Sequence, residues 1–132
     1  MGDESSEREW ALGVMFFAGL LLLLVGIFQV LQGLAALIDP DFFAPPPHYA
    51  FAIDATAWGG VHLALGLLVM AAGVFLFFGT PAARFAGIAA AALSATSNFL
   101  FIPYFPVWAV LIIALDLLII WALAVHGRVD AA

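Results

Sequence analysis

The sequence contains no cysteine and no lysine, and only three arginines stand against nine acidic residues among its 132. Without cysteine there is no disulfide, no thiol nucleophile and no thiolate metal ligand. Without clustered Lys and Arg nothing neutralises a run of phosphates, which excludes nucleic acid as a partner. Charge of either sign is scarce: 9% of residues are charged, 67% are hydrophobic, and the mean hydropathy is +1.20. Soluble domains carry about a quarter charged residues. A chain this short cannot hide so much apolar surface from water, so the partner that surrounds it is a lipid bilayer. Catalytic signatures are missing too: no phosphate loop, Ser/His/Asp set, HExxH helix or EF-hand loop is present. An enzyme is the disfavoured reading, and no cofactor or metal site is expected.

What is present is four long apolar runs. Spanning the hydrocarbon core takes about 20 apolar residues. The runs predict helices at about 10–38, 57–78, 81–102 and 106–126, with one longer connection at 39–56. The leading Met1 to Glu9 segment is acidic, and the apolar run after it is too long for a signal peptide, so the first run reads as a retained span. Ser6-Glu7-Arg8-Glu9 fits a capping box with Ser6 as the N-cap. Gly79-Thr80-Pro81 reads as a C-terminal stop, an N-cap and a first helical residue in direct succession. Pro103-Tyr104-Phe105-Pro106 is a second tight turn. Short connections predict antiparallel neighbours, so the expected fold is all-α: a four-helix transmembrane bundle, up-down-up-down, in one domain. In the longer connection Pro45-Pro46-Pro47 favours extended backbone. Tyr49, Phe51 and Ile53 alternate with smaller residues, as a flap or interfacial loop lying on the bundle would. Asp39, Asp41 and Asp54 in the same stretch read as solvated loop charges.

Arg8, Arg84 and Arg128 all fall at one end of such a bundle, which predicts a plasma-membrane protein with both termini cytoplasmic. Trp10, Trp58, Trp108 and Trp121, with Tyr49 and Tyr104, lie mainly near helix ends, where amphipathic rings favour the membrane interface. Gly19, Gly26 and Gly33 are seven apart, and so are Gly59, Gly66 and Gly73. Seven residues are two helical turns less about 20°, so each trio forms a stripe. Small residues let membrane helices approach closely, and both stripes read as contact seams.

Polar residues inside a span are costly and face protein or trapped water. The candidates are Gln29 and Gln32 in the first helix, His62 in the second, Ser94, Ser97 and Asn98 on one face of the third, and Asp116 in the middle of the fourth. By rise alone His62 and Asn98 lie about 6–8 Å below the outer helix ends, and Gln29 and Asp116 about 13 Å. All therefore occupy the outer half or the midplane. Asp116 is the sharpest signal, because a central Asp costs about 2.5–3.5 kcal/mol on insertion scales. It reads either as a solute-binding or proton-handling group, with His62 as partner, or as a hydrogen-bonded tie between helices. His48 and His126 lie in or near loops, so no three-histidine metal site forms.

Two segments carry a resemblance. Trp58-Gly59-Gly60-Val61-His62-Leu63 with Gly66, and Asn98-Phe99-Leu100-Phe101-Ile102-Pro103-Tyr104-Phe105-Pro106-Val107-Trp108, resemble an uncharacterised family of four-helix membrane proteins from actinobacteria. The resemblance spans nearly the whole chain. It implies a small bacterial inner-membrane protein and supplies no assigned catalytic residue; its motif positions fall on Trp58, His62, Asn98, Pro103, Pro106, Trp108 and Asp116. Three functions fit these readings. The first is an accessory or interaction protein, forming a homo-oligomer or part of a larger membrane complex. The second is a small proton-linked transporter or solute-binding protein using Asp116 and His62. The third is a quinone- or lipid-site enzyme subunit.

Overall fold

A computed structural model describes residues 2–39, 55–101 and 106–127. It is all-α, with four helices: α1 (Gly2–Ile38), α2 (Ala55–Leu76), α3 (Pro81–Phe101) and α4 (Pro106–His126). Three of them, α1, α2 and α4, are long and apolar enough to cross a membrane. The less apolar α3 carries Arg84, Ser94, Thr96, Ser97 and Asn98 among many alanines. The Tyr49-Phe51-Ile53 flap, the Pro45–Pro47 run, Asp41, Asp54, the turn residues Pro103, Tyr104 and Phe105, and Arg128 lie outside the described residues.

One local expectation is corrected. The first helix starts at Gly2, so Ser6 is an interior helical residue and not an N-cap. Residues 3–9 of the sequence include four acids, and carboxylates near a helix N-terminus favour the positive end of its dipole. At 37 residues it would be about 55 Å long, well beyond the hydrocarbon thickness, so it tilts or protrudes.

The link between α2 and α3 follows the expected chemistry. The last turn of α2 tightens, with Phe77 N donating to Val74 O and Phe78 N to Phe75 O. Gly79 N then donates to Leu76 O, and Gly79 adopts φ 69°, a left-handed conformation that closes the helix. Thr80 Oγ1 accepts from Ala83 N at 3.1 Å, an N-cap one residue before Pro81.

Helices α1 and α2 meet along the two glycine stripes. A Cβ on Gly19 would come within 2.8 Å of Gly73 O, one on Gly26 within 2.8 Å of Gly66 O, and one on Gly33 within 2.6 Å of Gly59 O. The converse holds for Gly73, Gly66 and Gly59 at 2.9, 2.8 and 2.9 Å. Ascending positions on α1 pair with descending positions on α2, so these two helices run against each other. Backbone meets backbone, at a separation that only glycine permits and that brings Cα–H groups towards facing carbonyls.

The interior follows a 3–4 spacing on every helix. On α1 the buried positions Ala11, Met15, Ala18, Leu22, Val25 and Gln29 repeat this way, and on α4 Ala109, Ile112, Asp116, Ile119 and Leu123 do the same. The exterior is the inverse of a soluble protein's: Phe16, Phe17, Leu67, Leu68, Phe99, Leu117 and Trp121 are exposed while Gln29, His62, Ser94, Asn98 and Asp116 are buried. An apolar surface of that extent requires an apolar environment.

Candidate intramembrane polar site

The polar residues occupy core positions, one helix at a time. Gln29 continues the apolar stripe of α1, and His62 falls on the buried face of α2 between Gly59 and Gly66. Ser94 and Asn98 follow Ala90 and Ala91 on α3, and Asp116 sits between Ile112 and Ile119 on α4. Gln29, Ser94, Asn98 and Asp116 are 0% exposed and His62 1%. The small residues of α3 make room for the longer polar side chains that reach it from α1 and α4.

Ser94 is the meeting point. Gln29 Nε2 donates to Ser94 Oγ across the α1–α3 contact. Asn98 Nδ2 donates to the backbone carbonyl of Ser94 at 2.9 Å, one turn back on the same helix. The Ser94 hydroxyl also lies towards the Asp116 carboxyl on α4, without a hydrogen bond between them. Because the hydroxyl accepts from Gln29, its own proton remains available to the carboxyl. Ser94 thereby bonds α3 to α1 and faces α4.

Both amides of this cluster turn their nitrogens to Ser94 and leave their oxygens unmet. Asn98 must turn its nitrogen to Ser94 O, since a backbone carbonyl only accepts, and this directs Oδ1 elsewhere. Gln29 likewise commits its nitrogen to Ser94. Gln29 Oε1, Asn98 Oδ1 and both Asp116 oxygens are buried without a hydrogen-bond partner. One turn further along α1 and α3, Gln32 and Ser97 are half-buried, and Gln32 Oε1 and Ser97 Oγ are unpartnered as well. Buried polar atoms are nearly always satisfied, so this group of unmet oxygens is the candidate site.

His62 is buried as expected and stacks on Trp58, one turn earlier on its own helix, with ring centroids 4.6 Å apart. Ser94 is a side chain beside Asp116. The level beneath the cluster is closed by Met15, Leu22, Leu76, Ile119 and Leu123, each at most 1% exposed.

Sequence reasoning missed a second polar contact, at the opposite end of the bundle. Arg84, in the first turn of α3, is 8% exposed. Its Nε donates to Leu123 O at 2.6 Å and its Nη2 to Ala124 O at 3.0 Å. These belong to the last four carbonyls of α4, which no helical N–H can reach. The guanidinium also lies 5.1 Å from the Phe85 ring centre. An arginine in a chain with three of them, placed level with the end of a later helix, was the available signal. Beside it His126, the last residue of α4, is met edge-on by Trp121 at 4.9 Å and Trp10 at 6.1 Å.

Among the described residues no group of three or more His, Cys, Asp or Glu gathers as a metal site of that kind. No curated protein and no solved structure matches the chain. A family model described as a domain of unknown function, DUF7144, matches residues 14–128, and the chain belongs to that family.

Proposed function

We propose that this protein is a small non-enzymatic membrane protein that binds a small solute or proton at Asp116. The observation that carries the reading is the fully buried Asp116 carboxyl, unpartnered at both oxygens, at the level where Gln29 is bonded to Ser94 and the Gln29 and Asn98 amide oxygens are unmet as well. A tie that served only to hold helices together would match its donors to its acceptors.

In this reading all four helices span, including α3, whose Arg84, Ser94 and Asn98 are buried together with Ala83, Ala90 and Ala91. The topology is up-down-up-down, with the 39–56 connection forming a structured loop on the outer side. Support comes from the pairing of early with late residues: Gly19 with Gly73, Arg84 with Leu123 and Trp10 with His126. Arg8 and Arg84 at one end favour a plasma-membrane protein with both termini cytoplasmic. The glycine stripes are occupied by the α1–α2 contact within the chain.

The test is Asp116→Asn in proteoliposomes, with uptake of protons and small cations followed against an empty-vesicle control. Uptake or binding that disappears in the variant while its thermal unfolding stays cooperative supports the site. A variant that differs from the parent only by a lower melting temperature makes Asp116 a helix tie.

A further inference from the structure

We infer that the cluster around Ser94 is a site for one monovalent metal cation of the sodium type, entered from the Ile38 end of the bundle; this rests on the reading of Asp116 as a binding group.

The argument starts from the kind of atom exposed. Gln29 Oε1, Asn98 Oδ1 and the two Asp116 oxygens are all acceptors, and all are buried without partners. Each amide turns its nitrogen to Ser94 and so presents its oxygen to the cluster. A carboxylate, two amide oxygens and a hydroxyl are hard oxygen ligands, the set that alkali and alkaline-earth cations take, with no nitrogen or sulfur for a transition metal. A proton on Asp116 would occupy one of these four oxygens and donate to at most one other; a cation accepts several ligands at once.

Charge decides the valence. Asp116 is the one carboxylate among the buried residues of the four helices that are described. One monovalent cation leaves the site neutral, whereas a divalent ion would leave an uncompensated charge where charge is most costly.

Access is one-sided. Gln32 and Ser97 stand one turn from Gln29 and Ser94, in the direction of the Ile38 and Phe101 helix ends, and present two further unmet oxygens. A cation arriving from that end meets polar atoms over the last ~10 Å of α3. In the other direction lie Met15, Leu22, Leu76, Ile119 and Leu123, which close the interior with side chains that offer no ligand. Among the described residues, unmet polar atoms thus continue on the Ile38 side of the cluster and apolar side chains fill the other.

The experiment measures binding of radioactive sodium to the purified full-length protein in detergent, with choline chloride holding ionic strength constant. The expected result is saturable binding near one ion per chain, thermal stabilisation by sodium over choline, and occupancy reduced about tenfold or more by Asp116→Asn. Ser94→Ala, which removes the hub and leaves the charge, should weaken binding too, and Thr96→Val, on the exposed face of α3, should leave it unchanged. Failure of the parent protein to bind sodium, or equal binding by Asp116→Asn, overturns the inference. Proton release and uptake, followed with a pH-indicator dye, separate the two readings. One proton per chain, dependent on Asp116 and indifferent to sodium, leaves the functional carboxylate standing and removes the cation. If neither ion binds, both fall.

Discussion

Gly26 and Gly66 face each other so closely that a Cβ on either would stand 2.8 Å from the other's carbonyl oxygen. The obstacle is backbone on both sides, which cannot rotate away as a side chain does. We expect Gly26→Ala and Gly66→Ala each to force α1 and α2 apart and to cost about 1–3 kcal/mol, as overpacking generally does. Gly60 supplies the internal control. It lies one residue from the seam glycine Gly59, yet nothing stands within 4 Å of a Cβ added there. Gly60→Ala should be neutral or stabilise by up to about 1 kcal/mol through helix propensity. Thermal unfolding in one detergent across the three variants checks this, and equal melting temperatures would refute the seam.

The Arg84 cap leads to a second expectation. Its two hydrogen bonds hold the end of α4 to the start of α3. Charge-assisted bonds contribute about 1.5–3 kcal/mol, so Arg84→Leu should lower stability by about that amount. Arg84→Lys should restore only part of the loss, because an ammonium has no fork with which to reach two carbonyls in fixed geometry. Amide hydrogen exchange localises the effect: amides in the last turns of α4 should lose protection first, while those near Gln29 should not.

The sequence revealed the parts of this fold that depend on spacing. The seven-residue glycine intervals identified both stripes, and Gly79-Thr80-Pro81 identified the stop, the cap and the restart. These features are local, set by helical pitch and backbone geometry. That the two stripes would face each other was not legible, since periodicity describes one helix at a time and says nothing about its neighbour. The same limit applies to the polar site. Gln29, Ser94, Asn98 and Asp116 were all identifiable as polar residues at core positions. The role of Ser94 as their common partner was not, because a serine's reach is short and its significance depends on which helices lie beside α3. Arg84 was read as a charge at the membrane rim, and its capping role required knowing where α4 ends. The upstream start of α1 was missed because a capping-box motif also fits the interior of a helix rich in acidic residues.

The Gln29–Ser94 bond supports a third expectation, on coupling. If the two side chains act on each other directly, the loss in Gln29→Leu combined with Ser94→Ala should be smaller than the sum of the single losses. Interhelical hydrogen bonds in membranes couple by about 0.6 kcal/mol on average and by no more than about 1.7. A double-mutant cycle on reversible unfolding in mixed micelles gives the coupling directly. A value indistinguishable from zero would show that Gln29 and Ser94 share a level in the bundle without depending on each other. Adding Asn98→Ala as a third site extends the cycle, and because Asn98 bonds to the Ser94 backbone, its own loss should survive Ser94→Ala nearly unchanged.

Orientation is the last expectation, and the absence of native cysteine makes it direct to measure. Single cysteines introduced at Ser5, on the exposed first turns of α1, and at Thr80, in the exposed α2–α3 turn, report on the end of the bundle that carries Arg8 and Arg84. A third at Asp39, exposed just past the end of α1, reports on the other end. With both termini cytoplasmic, a membrane-impermeant maleimide applied to intact cells should label the cysteine at 39 and spare those at 5 and 80 until the membrane is opened. Labelling of 5 and 80 in intact cells would reverse the topology, and would then place the entrance to the Asp116 site on the cytoplasmic side. If 5 and 80 fell on opposite sides, α1 and α2 could not both span, and the close approach of Gly26 to Gly66 would have to be made outside the bilayer. The three labels thus test the membrane topology and the direction from which the buried carboxylate is reached.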